Sequence, residues 1–122
     1  MNIPQNYLPV MPYLILNEAK AFLNFAKTVF DAKEQLIVPG ENEIIQHGEL
    51  KIDDAVIMFA QAGETWSEKT AGMYIYVKNV NSVYQKALEN GAVSLMPPEK
   101  KEYGYSGGFE DPFGNHWWIV EG

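Results

Sequence analysis

Apolar positions along this chain switch between two periods, and they do so in the same order in each half. Val10 to Leu16 is a short apolar run that predicts a buried strand, with Asn17 as the expected helix N-cap. Ala19, Phe22, Leu23, Ala26, Val29 and Phe30 then recur at i, i+3, i+4 and i+7, one apolar stripe of an amphipathic helix. Lys33 to Val38 predicts a second strand, stopped by Pro39-Gly40. Glu43 to Ile52 alternates, placing Ile44, Leu50 and Ile52 on one face and His47, Glu49 and Lys51 on the other. Asp53-Asp54 predicts a tight turn into Ala55 to Gln61, so these two strands should form a hairpin.

The second half repeats the order. Ala62 to Ala71 is polar and reads as the linker, and Gly72 to Lys78 opens the new copy as a strand. Val80, Val83, Tyr84, Ala87 and Leu88 give its helical stripe, with Gly91 where a left-handed C-terminal cap is wanted. Val93 to Met96 is a strand that Pro97-Pro98 should end. Asp111-Pro112-Phe113-Gly114 suits a type I turn joining Ser106–Glu110 to His116–Glu121. Displacing the sequence by half its 122 residues lays Tyr13 on Tyr74, Leu16 on Val77, Ala19 on Val80, Phe22 on Val83 and Ala26 on Ala87. The predicted fold is therefore α+β: one domain, 1–122, of two βαβββ modules (8–62 and 71–122). The modules are expected to form a curved mixed sheet with pseudo-two-fold symmetry, a cleft between them and the helices outside.

Composition narrows the function without choosing it. Apolar residues make up 47% and charged residues 20%, ordinary values for a globular chain. No apolar run reaches the roughly 20 residues that cross a bilayer, so no membrane role is expected. The net charge of −7 argues against nucleic acid, whose phosphates require cations, and mildly favours a cationic ligand. The absence of cysteine removes disulfides and thiolate metal sites, and the first residues lack the basic and apolar order of a secretory signal. Both points lead to the expectation of a cytoplasmic protein.

Period-two alternation sets Met11, Tyr13 and Ile15 on one face of the first strand and Gly72, Tyr74 and Tyr76 on the matching face of the second copy. Trp118 and His116 join that side, Trp117 and Ile119 turn to the helix, and Met58 is expected on the cleft floor. Such a pocket, aromatic and thioether-lined with hydroxyl and imidazole tips, suits planar or partly apolar ligands. Met11, Tyr13, Met58, Tyr74, Tyr76, His116 and Trp118 are the candidate ligand-binding residues. His47, Glu49, Glu110 and His116 are the candidate catalytic ones, because a carboxyl buried beside aromatic rings can be tuned for proton transfer near neutrality. Tyr103 to Gly108 carries three glycines and reads as a flap, and Trp66, alone in the linker, as a cover for the cleft mouth or a subunit contact.

The repeat, together with Gly108-Phe109-Glu110-Asp111-Pro112-Phe113-Gly114-Asn115-His116-Trp117-Trp118-Ile119, resembles the vicinal oxygen chelate superfamily of glyoxalase I, extradiol dioxygenases and bleomycin-resistance proteins. Tyr13 in a Pro-Tyr-Leu strand, His47-Gly48-Glu49-Leu50 and Met96-Pro97-Pro98 look like its PhnB-like branch. In metal-dependent members, the resemblance implies four inward ligands, His or Gln, Glu, His and Glu. Carried over by position, these fall on Met11, Met58, Gly72 (or Met73 with a one-residue slip) and Trp118, none of which offers a hard nitrogen or oxygen ligand. The expectation is no metal at those positions and no cofactor. The one alternative metal set in the sequence is His47, Glu49 and His116, and it is disfavoured because His47 and Glu49 share a strand.

The leading functional expectation is a module that holds a small, partly apolar or aromatic ligand, cationic ones included, without metal, and the resemblance adds a homodimer. One competing expectation is a lyase, isomerase or dioxygenase-like enzyme with a non-standard His/Glu site, so whether the chain is an enzyme stays open. The other is a degenerate dimeric scaffold with a filled pocket.

Overall fold

A computed structural model describes residues 1–122. The elements run β1 (Tyr13–Leu16), α1 (Ala19–Phe30), β2 (Lys33–Pro39), β3 (Ile45–Ile52), β4 (Ala55–Gln61), β5 (Gly72–Val77), α2 (Val80–Glu89), β6 (Val93–Lys101), β7 (Gly104–Glu110) and β8 (His116–Glu121). The chain divides into two compact units, Met1–Lys69 and Thr70–Gly122. Each carries one four-stranded mixed sheet, ordered β1-β4-β3-β2 in the first and β5-β8-β7-β6 in the second. The two orders are identical under relabelling. In each, the opening strand runs parallel to the last strand of its module (β1 with β4, β5 with β8), and the other pairs are antiparallel.

The first unit is assembled around α1. Its stripe of Ala19, Phe22, Leu23, Ala26, Val29 and Phe30 is buried as the period requires. Leu14, Leu16, Leu50 and Phe59 are buried with it, and Phe59 meets Phe22 edge-on with ring centroids 5.4 Å apart. Gly48 makes room for this contact: a Cβ there would sit 2.6 Å from Phe59 Cζ. The helix N-terminus is capped otherwise than expected. Asn17 gives its side-chain amide to Glu68, while Gln61, at the end of β4, accepts the Ala19 N–H at 3.1 Å and donates to the Asn17 carbonyl. Asp31 takes the left-handed conformation that closes α1, with Ala32 N–H reaching Ala26 O.

Strand limits differ from the sequence reading where prolines or turns intervene. β1 starts at Tyr13 rather than Val10, leaving Met11 in the preceding segment beside Pro12. Glu41–Glu43 is a short 3-10 turn, so β3 begins at Ile45, and Ile45 rather than Ile44 is the buried isoleucine. Lys69 of the linker pairs with Ile15 through two backbone bonds, so the linker's end lies along β1.

In the second unit α2 begins with Asn79, whose side chain accepts Ser82 N–H. It closes on Gly91 in a Schellman motif, Ala92 N–H to Ala87 O and Gly91 N–H to Leu88 O, with Gly91 at φ +97°. β6 runs through Pro97-Pro98 instead of stopping there. It is an edge strand, and its pairing with β7 slips between Met96 and Glu99, where two missing N–H groups cost no ladder bond. The expected flap is mostly strand: Gly104–Glu110 is β7, with Ser106, Gly107 and Gly108 buried. The turn before β8 is organised by Asp111, 2% exposed, whose carboxylate accepts from Phe113 N, Asn115 N, Asn115 Nδ2 and Trp117 Nε1, all at 2.9 Å.

Candidate functional site

A hollow of about 600 Å³ opens in the first unit, lined by Tyr13, Ile15, Ile44, Gln46, His47, Ala60, Gln61 and Trp66. Its wall follows from strand register. In β1 the period of two turns Leu14 and Leu16 to the core and leaves Tyr13 and Ile15 on the opposite face. Tyr13 is the partner of Met58 in β4, and Met58 of Glu49 in β3, so one sheet face carries Tyr13, Met58, Ala60, His47 and Glu49. The linker supplies Trp66, held in a turn where Gly63 N–H meets Trp66 O at 2.9 Å.

A continuous hydrogen-bonded chain runs from the wall of the hollow to the buried Glu49. Tyr13 Oη is 2.9 Å from His47 Nδ1, and His47 Nε2 is 2.8 Å from Glu49 Oε2. Glu49 Oε1 accepts from Tyr7 Oη at 2.9 Å and Gln35 Nε2 at 3.1 Å. Glu49 is 2% exposed, which overturns any picture of it as a solvated strand charge. Burial pushes its carboxyl upward, but the hydrogen bonds from His47, Gln35 and Tyr7 and the attraction of His47 outweigh that and hold it below its ordinary value. The same carboxylate, by accepting from Tyr7, raises that phenol above the ordinary range, with burial adding to the shift.

Of the sequence candidates, Tyr13, His47 and Glu49 come together here. Met58 shares their sheet face, but neither it nor Met11 lines the hollow. Tyr7 and Gln35 were not among the candidates. Gln35 falls at a bulge between Glu34 and Leu36, where the alternation that predicts facing is broken, and Tyr7 stands in a stretch without period. Trp66 is the linker aromatic the sequence singled out.

Tyr74, Tyr76, His116, Trp118 and Glu110 belong to the second unit. Tyr74 and Tyr76 are exposed on one face of β5, their ring centroids 5.8 Å apart, and burial and the neighbouring Tyr76 raise the Tyr74 phenol. His116 Nε2 is 3.0 Å from Glu110 Oε1, and the His116 ring lies 6.0 Å from Trp118. Each histidine is thus paired with a carboxylate of its own unit, and no group of three His, Asp or Glu side chains is placed to hold a metal ion.

The family-type metal positions do not fit a hard divalent ion either. Met11 and Met58 offer only thioethers, and the Trp118 indole lies against Gly72, 2.8 Å from where a Cβ would stand. The slipped alternative, Met73, adds another thioether.

Comparison with known proteins accords with this architecture. The family model described as the Glyoxalase/Bleomycin resistance protein/Dioxygenase superfamily matches residues 9–119. A relative in Mycobacterium bovis, the uncharacterized protein Mb0911c, is 28% identical over 118 residues, covering 87% of this chain and 78% of that one. Among solved structures, a PhnB protein from Bacillus cereus superposes with a TM-score of 0.77 at 15% identity, covering 94% of this chain and all of that one (100%). Protein PA1353 from Pseudomonas aeruginosa gives a TM-score of 0.78 at 18% identity, over 94% of this chain and 98% of that one. At these identities the superpositions show the fold alone.

Proposed function

The chain belongs to the Glyoxalase/Bleomycin resistance protein/Dioxygenase superfamily, and from that premise we propose that it binds a small, partly apolar or aromatic ligand without using a metal. The observation that carries this reading is the hollow itself: open, walled by aromatic and aliphatic side chains, and supplied with a few polar tips on Tyr13, His47, Gln46 and Gln61. Methionine, glycine and tryptophan at the family's metal positions support binding rather than Lewis-acid chemistry. The acidic net charge, the lack of cysteine and the exposed aromatic face of Tyr74, Tyr76 and Trp118 support a cytoplasmic homodimer.

Titration with indole, followed by calorimetry, tests the binding reading. Saturation at one equivalent per hollow, weakened by Trp66→Ala, is the expected result. An absence of saturable heat contradicts it and leaves the non-binding scaffold in its place.

The His47–Glu49 pair favours a second reading, a lyase, isomerase or dioxygenase-like enzyme. That reading requires turnover of a bound ligand and its loss in His47→Ala; a protein that only sequesters leaves the ligand unchanged.

A further inference from the structure

The hydrogen bonds around Glu49 fix which atoms carry protons. A carboxylate only accepts, and Glu49, whose carboxyl is held below its ordinary value, accepts from Tyr7 and Gln35 and lies 2.8 Å from His47 Nε2. His47 Nε2 must therefore bear hydrogen. In a neutral ring Nδ1 is then a bare lone pair, and the only hydrogen available at the 2.9 Å contact is that of the Tyr13 hydroxyl. The single proton of Tyr13 is committed to His47, so toward anything else in the hollow that both residues line its oxygen offers lone pairs only. The wall it belongs to contains no lysine or arginine. The indole of Trp66 lines the same space, where its ring face can meet a cation.

We propose that the Glu49–His47–Tyr13 chain makes the hollow selective for a protonated amine carried on an apolar or aromatic body, with Tyr13 Oη accepting an N–H of the ammonium group. This rests on the ligand-holding reading above and deepens it. The requirement is an N–H, not positive charge alone: a quaternary ammonium offers no hydrogen to the Tyr13 oxygen.

The test is calorimetric binding of phenethylammonium and its N,N,N-trimethyl analogue to the full chain at about pH 8, where a primary alkylamine carries its proton. The primary ammonium should bind about tenfold or more tighter, the worth of one hydrogen bond to a charged group. The ratio should fall toward one in Tyr13→Phe, checked for folding by circular dichroism. Equal affinities, or a ratio that survives Tyr13→Phe, would each overturn the proposal. If indole binds and neither cation does, the amine preference is wrong and the ligand-holding reading stands. If nothing binds, both fall.

Discussion

Glu49 concentrates more opposing forces than any other side chain in the first unit. It is a buried carboxylate whose desolvation is offset by Tyr7, Gln35 and His47, so removing it takes a partner from three side chains at once. Glu49→Ala should cost about 2–3 kcal/mol in urea unfolding at neutral pH. Its folded value lies below the unfolded value of about 4.3, so the unfolded state binds more protons as the solution is acidified. The stabilisation is complete above the unfolded value and is lost as pH falls through the folded one. Urea midpoints measured downward from neutrality should therefore drop more steeply for the wild-type chain than for Glu49→Gln, and parallel curves would count against the network. Gly48 makes a packing prediction at the same scale. Its missing Cβ is occupied by the Phe59 ring, and Gly48→Ala should destabilise by about 1–3 kcal/mol through forced displacement of that ring.

Helix α1 shows how an element can be legible while its boundary is not. The stripe from Ala19 to Phe30 follows from spacing alone, because burial against one sheet selects one face. Its N-terminal partner is Gln61, distant in sequence and brought up by β4 pairing with β1, so no local pattern announces it. Gln61→Ala should cost about 1 kcal/mol and lower hydrogen-exchange protection of the Ala19 amide, whereas Asn17→Ala, which loses only an exposed bond to Glu68, should stay within about 0.5 kcal/mol. A larger effect at Asn17 than at Gln61 would show the helix is capped from within the loop. β6 makes the complementary point. Prolines end a central strand, but an edge strand with a slipped register absorbs Pro97-Pro98, and edge position is a property of the sheet that the segment itself does not encode. The Asp111 turn was legible because its aspartate and glycine serve a local geometry.

At the scale of the whole molecule, the duplicated order of strand, helix and three strands is readable from the half-length repeat, and both sheets follow it strand for strand. The candidate site was readable in part. Alternation puts His47 and Glu49 on one face of their strand and Tyr13 on the cleft face of its own, but the β1-β4-β3 pairing is what joins these faces, and the partners that hold Glu49 as an anion arrive from a bulge and from an aperiodic segment. Sedimentation equilibrium should give twice the mass of one chain, and a monomer at micromolar concentration would remove the homodimer from the proposal. The account depends most on the hollow of the first unit being the place where a small molecule sits. Amide and side-chain chemical-shift mapping with phenethylammonium addresses that directly. The account predicts saturable shifts centred on Tyr13, Ile15, His47, Ala60 and Trp66; shifts confined to Thr70–Gly122, or none at saturating ligand, would contradict it.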